Sequence, residues 1–166
     1  KENTKLKIIS DLSQSIGFNG MVGGQMMDLI SEGRYNQFSP DEKYIMQTQK
    51  LKTGALITFS LKAGGLIGGA NKEELIILEK FGEKIGLAFQ IIDDILDCTS
   101  SENELGKSVD ADIKLGKTTF VTLLGLQESK NKVKKLIQEA KIEISKISKD
   151  VEKLIMLAEF VEYRKN

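Results

Sequence analysis

The sequence predicts an all-helical protein, and three observations lead there. Apolar residues recur every three or four positions over long stretches, no segment sustains a period-two alternation bounded by turn residues, and the single proline is Pro40. A length of 166 residues suits one domain with one core, and the spacing predicts helices over about 4–32, 41–63, 72–98, 117–127, 129–147 and 150–164.

The first helix contains the stretch GMVGGQMMDL, in which Gly20, Gly23 and Gly24 interrupt a helical pattern, each at a cost of roughly 1 kcal/mol relative to alanine. Close helix packing or a kink beside a ligand would account for them. Gln25 and Asp28 lie one turn apart and face one side. Ser39, Pro40, Asp41 and Glu42 read as an N-cap, a proline at the first helical position and acids in the first turn of the second helix. Within that helix Lys52 and Thr53 stand among apolar neighbours and precede Gly54; the ordinary fate of such a lysine is to snorkel to water.

GGLIGGAN, residues 64–71, should end the second helix, and Asn71 with Glu74 should cap the third. On the third helix Leu78, Phe81, Ile85, Ala88, Ile92, Ile95 and Leu96 share one face at 100° per residue, and Gln90, Asp93, Asp94 and Asp97 gather on the other. Residues 99–116 read as a polar loop. Beyond it, Val133, Leu136, Ile137, Ala140, Ile144, Ile147, Val151, Leu154, Ile155 and Ala158 form the apolar stripe of a lysine-rich helical hairpin.

Composition removes several function classes. There is no histidine and one cysteine, Cys98, so histidine catalysis, most zinc sites and an internal disulfide are excluded. Lys plus Arg and Asp plus Glu number 24 each, which gives no broad basic surface for nucleic acid. No apolar run reaches the roughly 20 residues of a membrane span, and the expected setting is a reduced cytoplasm.

The chemistry concentrates in QIIDDILD, residues 90–97. Asp93 and Asp97 are one turn apart, and no Lys or Arg occurs between Ile85 and Gly106 to neutralise them. Two readings stay open on spacing alone. One is the wet face of an amphipathic helix, since Glu79 and Glu83 share it. The other is a metal site: acids near a helix C-terminus oppose the macrodipole unless a cation is bound, and Gly82 and Gly86 clear space beside them. Carboxylate oxygens suit Mg2+, which bridges carboxylates to phosphates. Downstream, LGKSVDADIKLGKTT brings Lys107, Lys114 and Lys117, which are cations for a diphosphate or a solvated basic loop. Its GKTT is not a nucleotide P-loop, because Ala111 stands where the first glycine is required and no strand precedes it.

Taken together, GMVGGQMMDL, the pair Lys52–Thr53, GLAFQIIDDILD and LGKSVDADIKLGKTT resemble, in order and spacing, the C-terminal half of the trans-isoprenyl diphosphate synthases, the farnesyl and geranylgeranyl diphosphate synthase family. Bacterial farnesyl diphosphate synthases look particularly similar. The resemblance covers nearly the whole chain and is weakest after Glu128. It implies an isoprenoid-synthase helical bundle with a central cavity, of which residues 1–166 are the C-terminal portion of a single polyprenyl synthetase domain.

It further implies a prenyltransferase that joins an allylic diphosphate to isopentenyl diphosphate, as a cytoplasmic homodimer. Three Mg2+ are expected in the full enzyme, one of them held by Asp93, Asp94 and Asp97 of this chain. By the same resemblance Lys52, Lys107 and Lys117 bind the allylic diphosphate, Gln90 and Thr53 support that site, Gln25 and Asp28 line the cavity, and Lys52, Thr53 and Asp93 act in catalysis. Asp112 takes the loop's usual acidic position, whereas Asp110 stands where the family often has glycine.

The family's first aspartate-rich motif and its isopentenyl diphosphate site do not occur in this sequence, so the chain reads as a fragment of a longer enzyme. Other readings are a geranylgeranyl or longer-chain synthase, a non-catalytic partner subunit, and a terpene cyclase. A partner subunit need not keep the metal and lysine positions found here, and the Lys52–Thr53 pair and lysine loop fit chain elongation better than cyclisation.

Overall fold

The computed structural model describes residues 2–31, 39–105 and 118–164, with the backbone alone for 100–105. The described residues are helical: α1 (Glu2–Ile16), α2 (Met21–Ser31), α3 (Glu42–Gln49), a π-helical turn (Lys50–Gly54), α4 (Ala55–Ile67), α5 (Lys72–Leu105), α6 (Phe120–Leu124), α7 (Leu126–Ile144) and α8 (Glu152–Tyr163). Among them no helix is long and apolar enough to cross a membrane.

The long α5 is the axis of the fold. It packs on α4 and the π turn on one side and on α7 and α8 on the other. Phe81, Ile85, Ala88, Ile91, Ile92 and Cys98 are buried along it, against Phe120 of α6, Val133, Ile137, Ala140 and Ile144 of α7 and Ala158 of α8. The lysine-rich hairpin stripe is therefore the core face its spacing implies. Ile91 lies off the predicted apolar face and is buried too, because α5 is covered from more than one direction.

Several boundaries differ from expectation, each for a local reason. The segment expected as one helix over 4–32 is two, separated at residues 17–20. There the Gly20 backbone runs so close to Ser15 that a Cβ would lie 2.0 Å from the Ser15 carbonyl oxygen. The second helix is capped by Asp41, not Ser39, through Asp41 Oδ1 accepting from the Tyr44 amide at 2.7 Å, and Pro40 stays outside it. That helix runs through Gly64 and Gly65 to Ile67, with the π turn inside it. Asn71 and Glu74 do cap α5 reciprocally: the Glu74 amide donates to Asn71 Oδ1 at 2.9 Å and the Asn71 amide to Glu74 Oε2 at 2.8 Å. That hydrogen bond, followed by the Lys149 ammonium, lowers the Glu74 carboxyl below its ordinary pKa.

Residues 99–105, expected in a loop, are helical instead, since α5 continues through Leu105, and the rest of that expected loop lies outside the described residues. The break expected between 117–127 and 129–147 falls at Gly125, whose φ of 81° belongs to the left-handed region that glycine enters without strain. Gly82 and Gly86 do not clear space for a ligand. A Cβ at Gly82 would lie 2.9 Å from the Thr58 Cα, and one at Gly86 would lie 2.9 Å from the Gly54 Cα, so both glycines seat α5 against α4 and the π turn.

Candidate active site

Two stations of polar residues are built around α5. The first belongs to the π turn. A π turn widens the helix and disturbs the regular i→i−4 bonding of its carbonyls, which is why such turns recur at functional sites. This one contains Lys52 and Thr53. The backbone of α2 presses against it: a Cβ on Gly24 would lie 2.2 Å from the Lys52 backbone nitrogen. Gly24 thus explains one of the glycines in GMVGGQMMDL by close approach of two backbones.

Lys52 does not snorkel to water. Its Nζ donates to Asp28 Oδ2 at 2.6 Å, with the Asp28 carboxylate almost wholly buried on α2. Tyr44 Oη donates to the Met27 carbonyl at 3.0 Å and ties α3 to the same end of α2. Burial, and secondarily the Asp28 charge, raise the Tyr44 phenol above its usual pKa. Gln25, one turn before Asp28, is exposed. A cavity of about 410 Å³ lies between α1, α4 and α5, lined in part by Phe18, Leu51, Thr58, Phe59 and Glu83, and neither Gln25 nor Asp28 borders it. Gln49, which sequence reasoning passed over, is buried beside the π turn, and its Oε1 has no hydrogen-bond partner among the described residues.

The second station is QIIDDILD. Gly86 touches Gly54 at the end of the π turn, and Asp93 follows two helical turns on, about 10 Å along α5 at 1.5 Å per residue. Gln90 Nε2 donates to Asp93 Oδ2 at 3.1 Å. Asp97 lies one turn beyond and is exposed. Asp94 faces elsewhere: its Oδ2 accepts from the Phe120 amide at 3.0 Å, at the start of α6, where the positive end of the helix favours an anion. Thr119 and Thr122 complete that start by a reciprocal capping pair. These aspartates do not stand at a helix end, because α5 runs to Leu105 and the macrodipole acts only over its last turn.

The cation that the sequence lacks nearby comes from the far end of the chain. Arg164, just past α8, pairs through Nη2 with Asp93 Oδ1, and its Cζ lies 3.9 Å from the centre of the Phe89 ring. Burial lowers the pKa of this guanidinium, the sign expected for a cation withdrawn from water. Nothing in the local spacing of residues 90–97 announces Arg164.

The carboxylate pair fits a hard divalent cation in donor type and access. Asp93 is 42% exposed despite its partners, Asp97 faces the same side, and a positive group already stands at Asp93. Among the described residues no three carboxylate or thiol groups are gathered to hold a metal together, which agrees with Asp94 being turned to α6. Lys107, Lys114, Lys117, Asp110 and Asp112 lie outside the described residues.

A family model described as "Polyprenyl synthetase" matches residues 2–157. The chain belongs to the polyprenyl synthetase family. Among curated relatives, this polyprenyl synthetase chain is 37% identical over 161 residues to a geranylgeranyl diphosphate synthase of Cyanophora paradoxa, covering 97% of this chain and 53% of the relative. It is 36% identical over 167 residues to the farnesyl diphosphate synthase of Escherichia coli K12, covering 98% and 54%.

Among solved structures, a geranyltransferase from Helicobacter pylori complexed with magnesium and isoprenyl diphosphate superposes with a TM-score of 0.75 at 30% identity, covering 97% of this chain and 52% of that one. The chain therefore spans about half the length of the relatives it matches, and that half is their C-terminal one. The all-α isoprenoid-synthase fold expected from the motifs is the fold observed. Relatives bear both farnesyl and geranylgeranyl names, so the family is resolved and the product length is not.

Proposed function

We propose that this chain is the C-terminal, catalytic half of a trans-prenyl diphosphate synthase, which joins an allylic diphosphate to isopentenyl diphosphate with release of pyrophosphate. The observation that carries the reading is the pairing of two accessible carboxylates, Asp93 and Asp97, on one face of α5, two turns beyond the contact with the π turn that contains Lys52. Mg2+ bound at that pair would neutralise charge on a departing diphosphate.

The chain's own groups do the rest. Lys52 leaves Asp28 for the allylic diphosphate, or shares its protons between the two, and Thr53 donates beside it. The carbonyls of the widened turn face developing positive charge on the allylic carbon. Gln90 orients Asp93 through the 3.1 Å bond. Asp94, whose Oδ2 accepts from the Phe120 amide, would hold the metal through Oδ1. Lys107 and Lys117 are assigned to the same diphosphate from their place in the sequence motif.

Farnesyl diphosphate is the proposed product, supported by the 36% identity to the Escherichia coli enzyme, and the Cyanophora paradoxa relative favours geranylgeranyl diphosphate as the second reading. A cytoplasmic homodimer is part of the proposal. Support comes from the single cysteine of the sequence, Cys98, which leaves no internal disulfide to form, and from the exposed Leu6, Ile9 and Ile16 of α1, a helix with no buried residue.

Lys52→Gln tests the substrate assignment while keeping a donor for the buried Asp28. In the full-length enzyme it should raise the Michaelis constant for the allylic diphosphate about tenfold, the scale of one charge-assisted hydrogen bond, and leave that for isopentenyl diphosphate within about twofold. Lys107→Ala and Lys117→Ala should act in the same direction. Equal rises for both substrates would contradict the assignment.

A further inference from the structure

Arg164 is held too specifically to be a passing surface contact. Its side chain is 10% exposed, its guanidinium lies over Phe89, and it reaches the carboxylate of Asp93, one turn further along the same face of α5. Its Nε is buried and has no hydrogen-bond partner among the described residues, so Asp93 is the chief compensation for moving this charge out of water. The ring fixes the plane of the guanidinium and the carboxylate fixes its end. Asp93, by contrast, stays 42% exposed and open to an ion from solvent.

We infer that Arg164 is a resident counter-ion for Asp93, exchanged for a divalent cation, and that it thereby sets the metal affinity of this site. The inference rests on the proposed assignment of Asp93 to a metal. A guanidinium and a divalent cation on one carboxylate repel each other at contact distance, so each weakens the other's hold by the same factor. When the metal enters, Arg164 leaves Asp93. Because its amide donates to the Phe160 carbonyl at 3.0 Å, as the last turn of α8 requires, that turn loosens with it.

The test is Mn2+ binding to the full-length protein without substrate, read from the paramagnetic signal of the free ion, at the site that Asp93→Asn removes. Arg164→Gln should bind Mn2+ there about 3- to 10-fold more tightly than wild type, the range for a part-exposed ion pair, with Arg164→Lys between them. Saturating Mg2+ should speed backbone hydrogen exchange over residues 160–164 in the wild type and leave Arg164→Gln unchanged. Unaltered Mn2+ affinity in Arg164→Gln, or exchange over 160–164 indifferent to Mg2+, would overturn the counter-ion role. If Asp93→Asn itself leaves Mn2+ binding untouched, the metal assignment fails instead.

Discussion

Asp93→Asn in the full-length enzyme should lower kcat/KM for prenyl transfer by about 10²- to 10³-fold, the scale of removing one electrostatic stabiliser from a site where charge develops. The substitution keeps the shape of the side chain and an oxygen to accept from Gln90, and it removes only the charge. Asp93 is 42% exposed, but the largely buried Arg164 guanidinium loses its chief charged partner, so the variant should melt somewhat below wild type and its rates are read well below that melt. Asp94→Asn is the instructive contrast. It weakens the hold on the α6 start and should cost stability before it costs chemistry. Steady-state rates with labelled isopentenyl diphosphate, alongside a thermal melt, separate the two. Rates for Asp93→Asn within twofold of wild type would remove Asp93 from the catalytic account.

Gly24→Ala should damage both the seating of α2 and the π turn it presses on. The new Cβ would fall 2.2 Å from the Lys52 nitrogen and 2.6 Å from its Cα, and both are backbone atoms that cannot rotate away. Either α2 lifts off the π turn or the turn itself shifts. Overpacking of this kind costs about 1–3 kcal/mol, and a displacement of about 1 Å at Lys52 costs about 10²-fold in rate. Gly64→Ala on α4 should do the opposite. Nothing lies within 4 Å of its added Cβ, so the gain in helix propensity of up to about 1 kcal/mol remains. Urea melts of the two variants against wild type read the difference, and equal stabilities would show that the α2 contact is looser than its geometry.

What the sequence made legible is what local spacing encodes. The Asn71–Glu74 cap, the apolar stripe of α7 and α8 and the shared face of Asp93 and Asp97 follow from residues within a few turns of one another. The π turn left no such trace, because Lys52 and Thr53 fit a regular helix equally well and the distortion arises where Gly24 and Gly86 bring neighbouring helices against it. Gly82 and Gly86 were legible as glycines needing a reason, but only the fold distinguishes room for a ligand from room for a helix. The partner of Asp93 was hidden for the same reason. A search for bases near residues 90–97 cannot find Arg164, which α8 carries back from the other end of the chain. Asp94 separates from its neighbours because one residue turns the helix by 100°, enough to aim it at the Phe120 amide.

The central claim is that these residues belong to a Mg2+-dependent prenyl transfer. The direct measurement is product formation by the purified full-length protein, incubated with isotopically labelled isopentenyl diphosphate and geranyl diphosphate. With Mg2+ present, labelled farnesyl or longer prenyl diphosphate should accumulate in step with pyrophosphate, and chelation of Mg2+ should stop both. Absence of any longer prenyl diphosphate with geranyl or dimethylallyl diphosphate at saturating Mg2+, or synthesis at an unchanged rate after chelation, would contradict it.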